Sequence, residues 1–187
     1  FASSWHDLAE DSYLAQVGLR RRRRHAVFDA NATGELHRAA HQPHYQSRDY
    51  NTLQGGIERW FEPIRADVAD SAPMRRLLGF AQALFGGLAP QVGHWHVEVH
   101  QFRIEALPER HGQPTPEGMH RDGVNFVMVV LIDRHNITSG TTSIHALEGG
   151  EIGSKIKISL ADMDLPSFIA VACQTPFSSS FRPVRPV

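Results

Sequence analysis

The chain has 187 residues, a formal net charge of -1 and a sequence pI of about 6.9. This length suits one domain, residues 1–187, able to withdraw about 70% of its unfolded surface from water, and the balanced charge gives no global pull toward nucleic acid, an anionic membrane or an acidic partner. A lone cysteine, Cys173, excludes an intrachain disulfide framework and a cysteine-rich zinc site and fits a reducing compartment, so the cytoplasm is the expected location. No apolar run reaches the eighteen or so residues of a membrane span, and no signal pattern opens the chain. Phe1 rather than Met stands first, so a fragment, a trimmed chain or a processed form is the expectation.

Residues 1–50 are polar and rich in His and Arg, with an unbroken arginine run from Arg20 to Arg24. A basic run can bind nucleic acid. Here it is flanked by Val17, Leu19, Val27 and Phe28, no aromatic residues interleave with it, and on a strand alternate arginines point to opposite faces. A solvated or substrate-facing strand is therefore expected, and no nucleic-acid partner. From Ser71, a suitable N-cap with Pro73 in the first turn, Met74, Leu77, Leu78, Ala81, Leu84, Phe85 and Leu88 recur at helical spacing. This predicts an amphipathic helix stopped by Gly86 and Gly87, with its stripe laid on a sheet.

Trp95 to Ile104 alternates and predicts a half-buried strand, whereas Phe126 to Ile132 is continuously apolar and predicts a central one. Between them Pro108 to Gly118 has the composition of a loop. Further strands are expected within Thr141 to Leu147 and Ile152 to Leu160, while Phe177 to Val187 carries too little apolar periodicity to close a sheet. One helix followed by many short strands predicts a mainly β core with flanking helices packed on one side. No internal repeat is present.

His120-Arg-Asp122 is the feature richest in chemistry. Two residues apart on a strand, an imidazole and a carboxylate point the same way. With a second histidine from elsewhere they form the 2-His-1-carboxylate triad of non-haem Fe(II) oxygenases, which leaves positions open for co-substrate and O2. The pair leaves a Pro/Gly loop and enters an apolar strand, as a ligand site at the mouth of a barrel requires. His94, His96 and His100 stand two and four residues apart, but in a chain with twelve histidines such spacing favours structural or solvated roles. Arg103 suits either a substrate carboxylate or a pair with Glu105, and Cys173 reads as a small buried residue.

The run Pro116 to Val127, followed by Arg134 to Leu147, resembles the bacterial 2-oxoglutarate/Fe(II) dioxygenases that hydroxylate free L-amino acids, the isoleucine-hydroxylase group among them. Weaker likeness lies in Ser4 to Leu8, Tyr13 to Phe28, Gly55 to Pro63 and Glu98 to Ile104, so that it spans about residues 1–160. The resemblance implies a double-stranded β-helix, or jelly roll, with Fe(II) and 2-oxoglutarate as cofactors and a free aliphatic amino acid as the small-molecule substrate. His120 and Asp122 are then the first two iron ligands. The third, a histidine expected near residue 170, falls at Ala172 in Ala172-Cys-Gln-Thr-Pro176, with His145 as a possible substitute. Arg182 or Arg185 takes the place of the 2-oxoglutarate-binding arginine, although their proline neighbours suit a paired strand poorly. After about Asp164 the chain departs from the family pattern, so its C-terminal part is expected to be incomplete. The alternative expectation is a catalytically impaired jelly-roll binding protein that lacks the distal histidine. The sequence leaves the oligomeric state open.

Overall fold

A computed structural model describes residues 1–105, 122–134 and 166–174. His120, His145, Arg182, Arg185 and the strands expected within 141–160 lie outside the described residues. The elements in chain order are a 3-10 turn at Ala2–Asp7, β1 Ala9–Glu10, α1 Ser12–Ala15, β2 Arg21–Asn31, β3 Leu36–Arg38, β4 His44–Tyr45, β5 Glu58–Arg59, α2 Ala66–Ala69, α3 Ala72–Leu88, β6 His94–Ile104, β7 Phe126–Arg134 and β8 Pro166–Gln174. The main sheet has the order β1-β2-β6-β8-β7 with β3 also on β2, every pair is antiparallel, and β4 and β5 form a separate ribbon. Mainly antiparallel β with flanking helices is the architecture observed, α3 lying on one face of the main sheet.

β2 and β6 pair along their whole length, from Arg21 opposite Ile104 to Asn31 opposite His94. Because side chains alternate, one register sorts two strands into two faces. Ala26, Phe28 and Ala30 of β2 share a face with Trp95, Val97 and Val99 of β6, and on it Met74, Leu78, Ala81 and Phe85 of α3 bury their side chains. Phe126 joins this core, stacked on Phe85 at 4.9 Å between ring centroids and edge-on to Trp95.

α3 begins as expected: Ser71 Oγ accepts the Met74 N–H, and Pro73 lies in the first turn. Its stop differs. Gly86 and Gly87 stay helical, and the break comes at Ala89, whose N–H still reaches Phe85 O at 2.9 Å, just before Pro90. Glycine weakens a helix, but proline forces the preceding residue out of it. The buried stripe is also narrower than the periodicity suggested, since Leu84 and Leu88 are exposed along with Phe80.

Two strand expectations change as well. β6 was expected to be half-buried, but His96, Glu98 and His100 on its second face are buried too. β7 was expected to be central, but among the described residues it ends the sheet order; Phe126, Met128, Val130 and Ile132 pack on the core, while Val127, Val129 and Leu131 are exposed.

The arginine run is the first part of β2, and four of its members are engaged within the fold. Arg21 clasps Asp11 at 2.7 and 2.9 Å, Arg22 bonds Glu105 and Leu8 O, and Arg24 bonds Asp7 O and Pro63 O. Arg23 is buried, 3.6 Å from Asp11, with its guanidinium 3.5 Å from the Phe61 ring centroid. Asp11 also caps α1 by accepting the Leu14 N–H. Burial opposes its ionisation, but Arg23, Arg21 and the Leu14 N–H together hold its carboxyl below the usual range.

Leu78→Ala should therefore cost about 2–5 kcal/mol through the cavity it leaves, while Leu88→Ala, at an exposed position, should cost under about 0.5 kcal/mol; urea unfolding of the two variants checks the assignment of faces. Asp11→Asn should cost about 3 kcal/mol at pH 7, because it leaves buried arginine charge without its partner. As the folded carboxyl titrates lower than the unfolded one, its stabilisation is complete above about pH 4 and fades as pH falls through the lowered native value. The stability gap between parent and variant, measured by urea unfolding from pH 7 to pH 3, should narrow on acidification.

Candidate metal centre

The second face of the β2–β6 pair carries Arg23 and His25 from β2 and His96, Glu98, His100 and Phe102 from β6. His25 and His100 are opposite one another, and their rings stack at 4.6 Å. The His25 backbone is pinned on its other edge, its N–H to Glu62 O and its carbonyl to Ile64 N–H, both at 2.9 Å. β4 brings His44 over this surface, 4.9 Å from the His100 ring and 5.9 Å from that of His25.

Behind His44, the loop between β4 and β5 is held by Gln46, whose Oε1 accepts from Asn51 Nδ2 at 3.1 Å and from the Arg59 guanidinium at 3.2 Å. Gly55 permits that loop to close, since a Cβ there would approach Ser47 O to 2.6 Å. Gln46 Nε2 in turn donates to the main-chain carbonyl of Asp122 at 3.2 Å, tying the end of the His120-Arg-Asp122 motif to the ribbon that carries His44.

His25, His44, Glu98 and His100 each offer one ligating atom, and these atoms all lie within 4.8 Å of one another. Glu98 is the centre of the network. His44 Nδ1 donates to Glu98 Oε2 at 2.6 Å, His100 Nε2 approaches the same oxygen at 3.4 Å, and His96 Nε2 is 3.7 Å from Oε1. Arg23 holds the far side of His100, with Nη2 2.6 Å from Nδ1. A guanidinium only donates, so His100 Nδ1 accepts and its ring proton sits on Nε2, facing Glu98.

Burial works against ionised Glu98, yet His44 and the hydrogen bonds from His100, His44 and His96 hold its carboxyl well below the usual range. Burial pushes the His25 imidazole down to about 3. It also lowers His44, with Glu98 opposing, and lowers His100 strongly, with the Arg23 charge adding to the effect. The resulting arrangement is an anionic carboxylate among neutral imidazoles, the protonation states in which these groups bind metals. Both ring nitrogens of His25 are buried and have no hydrogen-bond partner among the described residues, at a cost of about 1–3 kcal/mol for each polar group so left.

Of the residues singled out in the sequence, Asp122 is described, exposed, and not a member of this group of ligating atoms. The Ala172 Cα in β8 stands opposite Glu98 on one side and Val127 on the other. His94 is exposed, whereas His96 and His100 are buried in the network rather than solvated. Arg103 makes the simpler of its two expected contacts, a fork onto Glu105 Oε1 at 2.6 and 3.1 Å, and also donates to Trp5 O. Sequence reasoning missed His25, His44 and Glu98. A signal existed for Glu98, because polar residues at every second position of an otherwise apolar strand demand partners if that face is covered; His25 closes the unbroken polar run from Arg20 and gave none. His44, on a two-residue strand, gave none.

No curated protein sequence matches the chain. Among solved structures, a bsmA homolog from Methylobium petroleophilum PM1 is 30% identical with a TM-score of 0.77, over 97% of this chain and 81% of that one. IDO from Bacillus thuringiensis shares the fold at a TM-score of 0.67, with 15% identity over 93% of this chain and 83% of that one. The family model described as 2OG-Fe dioxygenase matches residues 2–163, a span that contains the His120-Arg-Asp122 motif and the whole β2–β6 pair. By that match the chain belongs to the 2OG-Fe dioxygenase family, whose cofactors are Fe(II) and 2-oxoglutarate.

Proposed function

We propose that the protein is an Fe(II)/2-oxoglutarate-dependent dioxygenase that hydroxylates a small substrate, a free aliphatic L-amino acid, within a jelly roll. The observation that carries this reading is the position of His120-Arg-Asp122 inside the matched family span, at the entrance to β7. The donor chemistry of the motif fits the ion, an imidazole and a carboxylate two residues apart, and the Asp122 main chain is fixed by Gln46. When bound, Fe(II) with 2-oxoglutarate would supply the chemistry for hydroxylation of a C–H bond by O2, one oxygen atom going to the substrate and the other to succinate as 2-oxoglutarate loses CO2.

The chain's own part begins with holding that ion, through the His120 imidazole and the Asp122 carboxylate. Gln46 steadies the motif by binding the Asp122 carbonyl, so the carboxylate is presented from an anchored backbone. Arg182 or Arg185 would pair with the far carboxylate of 2-oxoglutarate as a two-pronged donor. The exposed apolar residues Val127, Val129 and Leu131 of β7 would suit contact with an aliphatic substrate and would help to exclude water. No helix among the described residues is long and apolar enough to cross a membrane, and the cytoplasm is the proposed location.

A second reading, a jelly-roll binding protein with impaired catalysis, is favoured by a specific observation. The family match stops at residue 163, short of Ala172, where the resemblance would put the third iron ligand and where the side chain brings no donor atom. The two readings meet in one expectation, slow turnover. Succinate formation from 2-oxoglutarate in the presence of aliphatic L-amino acids should run below about 1 s⁻¹, and His120→Ala or Asp122→Ala should abolish it. Ala172→His should tighten Fe(II) binding in an anaerobic titration, because affinity follows ligand number and geometry. Turnover at ordinary enzymatic rates in the parent would show that another residue completes the site.

A further inference from the structure

Asp122 is not among the buried donors of the β2–β6 face. We propose that His25, His44 and Glu98 form a separate binding site for a divalent first-row transition ion, one that needs neither His120 nor Asp122, with His100 as a positioning residue.

Hydrogen-bond directions select these three ligands from the four candidates. Both nitrogens of His100 are committed, Nδ1 to Arg23 at 2.6 Å and the protonated Nε2 toward Glu98. Its lone pair is covered by a guanidinium that cannot turn acceptor. His44 donates through Nδ1, which leaves the Nε2 lone pair of the neutral ring open. His25 has no hydrogen-bond partner among the described residues at either nitrogen, so its lone pair is open as well. Glu98 brings an anionic oxygen that offsets the charge of an incoming cation. Two imidazoles and one carboxylate form a donor set for Zn(II), Fe(II) or Co(II) rather than for Mg(II) or Ca(II), which prefer oxygen throughout.

The distances agree with this assignment. Donors bound to one ion at about 2.1 Å lie at most about 4.2 Å apart, and one nitrogen or carboxylate oxygen from each of these residues already lies within 4.8 Å of the others. The three ligands come from three places, β2, β4 and β6. His100 and Arg23 orient the Glu98 carboxylate from behind, as outer-shell groups do at metal sites. A bound ion would thereby tether the short β4–β5 ribbon, and Asp122 through Gln46, to the main sheet.

The test uses the full chain, stripped with a chelator and loaded with Co(II), with bound cobalt measured after equilibrium dialysis and visible absorption recorded as a signature of its coordination geometry. The His120→Ala/Asp122→Ala double variant should still bind one equivalent, and cobalt should raise its thermal midpoint by at least about 3 °C. Adding Glu98→Gln or His44→Ala should weaken binding at least tenfold, and His44, on a short ribbon outside the main sheet, is the variant least able to disturb folding. His100→Gln should lower affinity while leaving the stoichiometry at one. A double variant that binds no cobalt, or cobalt binding that is unchanged by both Glu98→Gln and His44→Ala, overturns the proposal. If the parent binds a single Co(II) that survives the double substitution, the buried site stands and the assignment of His120 and Asp122 falls instead.

Discussion

The continuous pairing of β2 with β6 is the constraint on which the rest of the structure depends. In one register it aligns Ala26, Phe28 and Ala30 with Trp95, Val97 and Val99 under α3, and on the reverse side it aligns His25 with His100 and Val27 with Glu98. A slip of one residue would turn the histidines and the glutamate into the apolar core and Val97 and Val99 away from it. The energy of the apolar face therefore specifies the geometry of the polar one. The polar cluster needs no strong association of its own, because its members are delivered by burial of their neighbours.

A buried carboxylate surrounded by imidazoles is costly on its face, since charge removed from water must be repaid by nearby partners. Glu98 has those partners in His44, His100 and His96, and the Arg23 guanidinium behind His100 supplies the balancing positive charge. Arg23 is itself held between Asp11 and the aromatic faces of Phe61 and Phe102. The chain of contacts thus runs from Asp11, the cap of α1, through Arg23 and His100 to Glu98. In such a network loss of one member leaves others uncompensated, so the helix cap and the metal-competent face are linked although they lie far apart in sequence.

Much of this was legible in the sequence. The helix start at Ser71, the strands around Trp95 to Ile104 and Phe126 to Ile132, and the mainly β class all followed from periodicity and capping, which are local properties. The extent of burial was not local. His96, Glu98 and His100 read as the wet side of a half-buried strand because nothing in their own segment announces that β4, some fifty residues earlier, will cover them. The arginine run showed the same limit in reverse: its charge is evident in sequence, but its engagement by Asp11, Glu105 and backbone carbonyls appears only when distant segments meet. The His120-Arg-Asp122 motif was visible because its spacing alone carries the chemistry, whereas His25, His44 and Glu98 converge from three separate strands.

The sheet order has a consequence for how the molecule is made. β6 and β7 follow one another in the chain, yet they do not pair; β8, which begins at Pro166, lies between them. During synthesis both strands leave the ribosome before the strand that joins them, and each keeps an unsatisfied backbone edge until β8 arrives. Closing that gap is a late, long-range event, slow in folding and exposed to edge-to-edge association while it waits. The core under α3 shares that delay, because Val171 of β8 is one of its fully buried members.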